Sequence, residues 1–213
     1  LFSFYGVAPA EESMPKAKAA IDRALSIDDS LAEPHAALGN YLAFFEYDRP
    51  GSEREYRRAI ELNPKLATAH HWLGLNFLAM TGRFDEGITE LVRAAEIDPQ
   101  SPVIGADLAN VLSNAGRFDE AIQQARMTLE LEPDFPHAYT SLGYAFAGKG
   151  QFAEAIAEYE RAVSLSGDAY ARAQLIHTLA KAGRLSEAQQ QMEALRSSSA
   201  NKYVPDFCFA IAQ

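Results

Sequence analysis

The chain has 213 residues and a formal net charge of −10, with 48% hydrophobic and 23% charged residues. This composition lacks runs of valine, isoleucine and threonine, so it predicts an ordered, all-helical protein and excludes a disordered one. Because the chain is acidic and its cations are scattered, a phosphate backbone would repel it, and we expect no contact with nucleic acid.

The first 29 residues predict the second half of a helix hairpin. Ala17, Ile21, Ala24 and Ile27 recur at the spacing of one helix face. We interpret the preceding stretch LFSFYG as the end of a first helix whose beginning lies outside the sequence. No apolar run approaches the roughly 18 residues of a membrane span, so we expect no membrane contact in this region.

The segment that begins at Ser30 departs from the later ones in its turn and its length. The turn reads YDRPGSEREY, and the interval from Gly39 to Ala59 is one residue longer than the later segments predict. Arginine and glutamate alternate in it at helical spacings, which predicts a solvated ion-pair face. The residues of that face are Arg54, Arg57, Arg58, Glu53, Glu55 and Glu61.

One phrase then recurs along the chain. It reads TGRFDEGI from residue 81, AGRFDEAI from 115 and KGQFAEAI from 149, with a looser copy, AGRLSEAQ, from 182. Its glycines, Gly82, Gly116, Gly150 and Gly183, lie 34, 34 and 33 residues apart. A helix ends at each glycine and a second helix begins just after it, so each period predicts one helix hairpin.

The segment from about residue 135 shows what each position does. Gly143, Ala155 and Ala162 are small enough for two helix backbones to approach, and Phe152 and Tyr159 fill the space between hairpins. Proline ends a second helix because its ring cannot continue the hydrogen-bonded turn. The prolines at that place are Pro64, Pro99 and Pro133.

This pattern resembles the tetratricopeptide repeat along nearly the whole chain. The resemblance implies an all-α fold, a right-handed α-α superhelix, that is, a solenoid of antiparallel helix hairpins over residues 1–213. We expect a partial unit at 1–29, complete units beginning near residues 30, 65, 101, 135 and 168, and a partial last helix at 203–213.

Three segments also look like the repeat region that follows a regulatory or catalytic domain in bacterial signalling proteins. They read YGVAPAEESMPKAKAAIDRALSIDDSLAEPHAALG, YDRPGSEREYRRAIELNPKLATAHHWLG and NKYVPDFCFA. In that group the leading domain is a winged-helix DNA-binding domain, a nucleotide cyclase or a Ser/Thr kinase. The resemblance implies a C-terminal regulatory or assembly module. We expect it in the cytoplasm, or in the periplasm if a membrane span precedes it in the full-length chain.

The sequence contains no motif for catalysis, for a cofactor or for a metal. We therefore expect a non-enzymatic chain that binds no cofactor and no metal. The stretch GYAFAGKG at 143–150 imitates a phosphate loop but has Gly150 where Ser or Thr is required, and a helix rather than a strand precedes it. Cys208 is the only cysteine. His70 and His71 are adjacent, so they point about 100° apart on a helix and cannot chelate one metal.

The remaining candidate is a partner-binding groove. In tetratricopeptide stacks the first helices line the concave side, and the ninth place of each unit faces the groove. With one extra residue allowed after Pro64, the groove residues are Asn40, Asn76, Asn110, Tyr144 and His177, with Trp72 beside them. An asparagine amide can both donate to and accept from a peptide unit, so the three asparagines predict a ladder that holds an extended backbone.

We therefore predict a module that binds a protein or peptide segment, or a neighbouring domain of its own chain. Two alternatives remain open at this stage. One is a structural spacer without a ligand, and the other is an accessory segment that completes a cyclase or kinase whose catalytic domain lies outside this chain.

Overall fold

The computed structural model describes residues 10–199, and within that range the chain forms helices and turns and no strand. The expected last helix at 203–213 and the stretch LFSFYG lie outside the described residues. The α-helices are α1 (Ala10–Ile27), α2 (Ala32–Tyr41), α3 (Arg49–Leu62), α4 (Ala67–Trp72), α5 (Phe84–Ile97), α6 (Pro102–Asn114), α7 (Phe118–Leu131), α8 (Pro136–Gly148), α9 (Phe152–Ser166), α10 (Ala169–Lys181) and α11 (Leu185–Ser199).

The helices form two compact units, residues 1–104 and residues 105–213. In the first unit α2 packs on α3 and α4 packs on α5, and in the second unit α8 packs on α9 and α10 packs on α11. A short turn joins α8 to α9 and α10 to α11, whereas the connections from α2 to α3 and from α4 to α5 include further helical turns. The two helices of each pair run antiparallel. The all-α, helix-hairpin fold expected from the sequence is confirmed.

The recurring glycines end the first helices as the sequence predicts. Gly82, Gly116, Gly150 and Gly183 have φ between 75° and 80°, a region that side chains with a Cβ rarely adopt. The residue after each glycine donates its backbone N–H to a carbonyl five residues earlier, for example Arg117 to Leu112 at 2.9 Å. This bond satisfies a carbonyl at the helix end, which is why the phrase keeps its glycine.

The divergent turn of the first unit ends its first helix without a glycine. Tyr47 takes the left-handed conformation, with φ of 57°, in place of glycine. The Asp48 carboxylate then accepts a hydrogen bond from the backbone N–H of Gly51 at 3.0 Å and caps α3. The turn sequence therefore changes while the hairpin is kept.

Two π-helical turns absorb the extra residues of the first unit. They span Leu42–Glu46 after α2 and Leu73–Leu78 after α4. A π turn holds one more residue than an α turn of the same rise. The extra residue that we allow after Pro64 in aligning the sequence lies instead in the turn Leu73–Leu78, because a widened turn leaves the flanking helices in register.

Both units bring a glycine of a first helix against a large side chain of the second helix. A Cβ added to Gly39 would stand 2.9 Å from the ring of Tyr56, and a Cβ added to Gly143 would stand 2.9 Å from the ring of Tyr159. At Gly74 the facing side chain is Leu91, whose Cγ would be 3.0 Å away. Glycine is required at these places because the helix axes approach too closely for any side chain.

Candidate partner-binding site

In the first unit, two members of the expected asparagine ladder bind each other. Asn76 lies in the π turn Leu73–Leu78 and donates from Nδ2 to Oδ1 of Asn40, near the end of α2, at 2.9 Å. The hydroxyl of Tyr56 donates to the same oxygen at 3.1 Å. The carboxamide oxygen of Asn40 is therefore engaged within the protein.

The asparagine network satisfies a buried hydroxyl. Tyr56 is fully buried, and burial raises the pKa of its hydroxyl far above the usual range, so the group stays protonated and can donate. A buried hydroxyl that lacks a partner is costly, so Asn40 stabilises the hairpin α2–α3. Sequence reasoning does not find this internal partner of Asn40.

Trp72 and Asn110 are also held by their own units. Trp72 is half-buried and packs against Tyr56, Leu73 and Phe77 in the core of the first unit. In the second unit, Nδ2 of Asn110 lies 3.0 Å from Nε2 of His137. The same ring nitrogen lies 3.4 Å from the carboxylate of Asp107.

The second unit brings the last two expected residues, Tyr144 and His177, into one cleft of about 390 Å³. Tyr144 projects from α8 and His177 from α10. The other polar side chains along this cleft are Ser113, Asn114, Gln174, Thr178 and Lys181, and Tyr159 of α9 lies among the lining residues. We call this space the α8–α10 cleft.

The α8–α10 cleft is rich in hydrogen-bond donors. Tyr144 donates its hydroxyl proton to Oδ1 of Asn114 at 2.9 Å, so this bond uses the amide oxygen of Asn114 and not its amino group. Lys181 is exposed and makes no ion pair within the described residues. None of the lining side chains is a carboxylate. In a chain with a net charge of −10, such a surface favours groups that accept hydrogen bonds.

Tyr159 differs from Tyr56 in the environment of its hydroxyl. Both tyrosines are fully buried. Within the described part of the chain, the hydroxyl of Tyr159 is the buried side-chain polar atom that has no hydrogen-bond partner. Burial raises its pKa well above the usual value, with smaller contributions from Tyr170 and Tyr144, so the hydroxyl keeps its proton at neutral pH.

A second surface in the first unit is charged. A depression of about 620 Å³ is lined by His35, Pro50 and the six residues of the expected ion-pair face on α3. Arg57 pairs with Glu53 at 2.8 Å and Arg58 with Glu61 at 3.4 Å, which confirms the ion-pair face expected from the sequence. Such exposed pairs contribute little to stability, and each charge is already matched.

Sequence reasoning missed a repeated histidine–glutamate contact. Nδ1 of His35 lies 2.8 Å from Glu55, and Nδ1 of His70 lies 2.6 Å from Glu90. In both pairs the partners are 20 residues apart, and the other ring nitrogen faces a backbone carbonyl six residues earlier. The equal spacing in two consecutive hairpins is the signal that could have found the pairs.

Two further observations concern residues 10–199 only. No group of three or more His, Cys, Asp or Glu side chains is placed to hold a metal ion. No helix combines the length and the apolar character that crossing a bilayer requires.

The hairpin architecture defines the class as a helical repeat protein. The sequence model of the tetratricopeptide repeat matches residues 48–102 and 106–173, which together make up more than half of the chain. The chain therefore belongs to the tetratricopeptide repeat family. Membership in this family supports a scaffold for protein–protein interaction as the general class of function. No curated protein matches the sequence.

Solved structures share this fold at low sequence identity. PilW, a type IV pilus biogenesis factor, is 17% identical with a TM-score of 0.76, over 91% of this chain and 89% of that chain. PilF of Pseudomonas aeruginosa is 20% identical with a TM-score of 0.69, over 90% and 87%. YrrB, described as a tetratricopeptide protein with an unusual peptide-binding site, is 18% identical with a TM-score of 0.56, over 85% and 93%. At these identities the likeness concerns the fold alone.

Proposed function

We propose that the chain is a non-catalytic interaction and assembly module, which binds an extended segment of a protein partner through the α8–α10 cleft. The observation that carries this proposal is the meeting of Tyr144 and His177 in a cleft that holds several hydrogen-bond donors and no carboxylate. Aromatic rings offer rigid contact area, and the donors match the carbonyl groups that every peptide carries.

The first unit has a supporting role in this proposal. Its asparagines Asn40 and Asn76 are bonded to each other, so they hold the hairpins together and are less suited to gripping a peptide. We propose that the whole chain is a single repeat array. The peptide-binding site described for YrrB is a precedent for the fold.

The setting that we propose is regulatory. Three segments resemble the repeat region of bacterial signalling proteins, in which such a module follows a regulatory or catalytic domain. A segment of that neighbouring domain is then as suitable an occupant of the cleft as a segment of a separate protein. In either case the chain binds the segment and holds the protein that carries it in place.

The test is selection of binding peptides on the 213-residue chain from a displayed library of random dodecapeptides. Selected peptides are synthesised and titrated calorimetrically against wild type, Tyr144→Ala and His177→Ala. We expect each variant to weaken binding about tenfold, since each loses an aromatic contact or a hydrogen bond.

His137→Ala is the matched control, because His137 lies in the same unit but does not line the cleft. It should bind the peptides as wild type does. Failure to select any peptide would contradict the proposal and leave a spacer as the better account. Peptides that bind all four proteins equally would place the binding surface elsewhere.

A further inference from the structure

The hydroxyl of Tyr159 is not needed for packing. In the first unit the equivalent place beside Gly74 is filled by Leu91, which is fully buried and has no polar atom. A phenylalanine would fill the space of the Tyr159 ring equally well. The hydroxyl is nevertheless present and buried, without the partner that such a group normally has.

The comparison with Tyr56 shows that Tyr159 lacks a hydrogen-bond acceptor for its hydroxyl. Gly39 is followed by Asn40, whose carboxamide oxygen accepts from the hydroxyl of Tyr56 at 3.1 Å. Gly143 is followed by Tyr144 instead, and that side chain donates its own hydroxyl proton to Asn114. A glycine lies against the tyrosine ring in both hairpins, so we attribute the unsatisfied hydroxyl of Tyr159 to the tyrosine that stands in place of asparagine.

We propose that the hydroxyl of Tyr159 is the recognition group of the α8–α10 cleft and donates a hydrogen bond to a side-chain carbonyl oxygen of the bound segment. The inference rests on the proposed function, and it specifies which atom of the site selects the partner. The acceptor is the oxygen of a carboxamide or a carboxylate. Asn40 supplies a carboxamide oxygen to Tyr56, and a side chain reaches further than a backbone carbonyl towards a hydroxyl that is shielded from the surface.

The surroundings of Tyr159 fit an acceptor and disfavour a donor. The lining residues include Asn114, His177 and Lys181, which can donate, and no carboxylate that would compete for the hydroxyl. The hydroxyl is shielded from water, so side chains that cover it must move aside before an acceptor can reach it, but no protein hydrogen bond to it has to be broken. A hydrogen bond formed there contributes more to affinity than one formed on the exposed surface.

Two matched variants test the inference, Tyr159→Phe and Tyr56→Phe. Each removes one buried hydroxyl and keeps the ring. Without any peptide, Tyr159→Phe should melt at the wild-type temperature or above it, because it removes an unsatisfied group. Tyr56→Phe should melt about 2–4 °C lower, because its hydroxyl is bonded to Asn40.

The same variants are titrated with the selected dodecapeptides. Tyr159→Phe should bind them about tenfold more weakly, and Tyr56→Phe should bind as wild type does. Within one peptide, glutamine and glutamate are each exchanged for leucine to locate the acceptor. Comparing the affinities of peptides with glutamine and with glutamate at that position then shows whether the acceptor is a carboxamide or a carboxylate. The affinity of a carboxylate peptide should fall with added salt if Lys181 takes part.

The possible outcomes separate this inference from the proposed function. If peptides bind wild type and Tyr159→Phe equally, the inference is wrong and the proposed function stands. If Tyr159→Phe melts as far below wild type as Tyr56→Phe does, the hydroxyl has a structural partner and the inference is also wrong. If no peptide is selected at all, the proposed function fails and the inference fails with it.

Discussion

Both units of this chain pack a tyrosine ring against a glycine and thereby bury the tyrosine hydroxyl, but only one unit gives that hydroxyl a hydrogen-bond partner. In the first unit Asn40 satisfies the hydroxyl of Tyr56, and Asn76 donates to the same oxygen. In the second unit the hydroxyl of Tyr159 is buried without a partner and lies beside a cleft. The difference shows that a repeat can keep its packing positions while a change at one neighbouring residue leaves a buried hydroxyl without a partner.

The largest expected effect tests the part that the units share. Gly39→Ala and Gly143→Ala each place a Cβ 2.9 Å from a tyrosine ring. Either the ring or the helix must move, so each substitution should lower the free energy of unfolding by about 1–3 kcal/mol. Urea denaturation followed by circular dichroism measures both losses. A substantial loss in one unit and none in the other would show that the glycine contacts are not equivalent.

The next effect tests the part in which the units differ. Asn40→Ala removes the oxygen that accepts from the hydroxyl of Tyr56 and should cost about 1–3 kcal/mol. The cost should shrink when Asn40→Ala is made in a Tyr56→Phe background, because the hydroxyl is then gone. Tyr144→Phe, which removes an exposed hydrogen bond to Asn114, should change stability by less than about 0.5 kcal/mol.

The double-mutant cycle between Asn40 and Tyr56 can also show that their hydrogen bond does not stabilise the fold. Equal costs of Asn40→Ala in the two backgrounds would mean that the 3.1 Å contact contributes nothing to stability. The partnered hydroxyl of the first unit would then no longer contrast with the unpartnered hydroxyl of the second.

The helix ends and the internal contacts differ in how far the sequence predicts them. Gly116 marks a helix end because local backbone conformation alone requires a glycine there. The bond from Asn76 to Asn40 joins residues 36 positions apart, so it depends on how two hairpins pack. Sequence equivalence places the two asparagines at matching positions, but it could not show that they bind each other.

The positions of the π turns also could not be predicted from the sequence. One residue too many between Gly39 and Ala59 is visible in the sequence, whereas the place where the chain absorbs it is not. A widened turn and a longer loop have the same length, and only packing against the facing helix decides between them. The unpartnered hydroxyl of Tyr159 was equally hidden, because the tetratricopeptide pattern specifies a large side chain at that position and does not specify a partner for its hydroxyl.

The smallest expected effect concerns surface charge in the two units. Burial raises the pKa of the Glu53 carboxyl, but hydrogen bonds from Arg57 and Arg83 outweigh it and the net shift is downward. Glu120 pairs with Arg117, and its pKa is also lowered. Glu53→Gln should therefore cost about 0.5 kcal/mol at pH 7, and Glu120→Gln less.

The sign of the pH dependence follows from the lowered pKa of Glu53. A carboxylate whose folded-state pKa lies below its unfolded value stabilises the fold above that unfolded value, about 4.3. The contribution is lost as the pH falls through the folded-state pKa. The difference between wild type and Glu53→Gln should therefore narrow in acid, and a difference that grows below pH 4.3 would refute the two-arginine contact.

The central claim is that Tyr159 lacks a partner because Tyr144 stands where the first unit has Asn40. The most direct measurement is the free energy of unfolding of Tyr144→Asn and Tyr144→Ala, each made in the wild-type and the Tyr159→Phe background. In the wild-type background Tyr144→Asn should be more stable than Tyr144→Ala by about 1 kcal/mol, because the new carboxamide accepts from the hydroxyl of Tyr159 as Asn40 does from Tyr56. In the Tyr159→Phe background this advantage should disappear. An advantage of equal size in both backgrounds, or none in either, would contradict the claim.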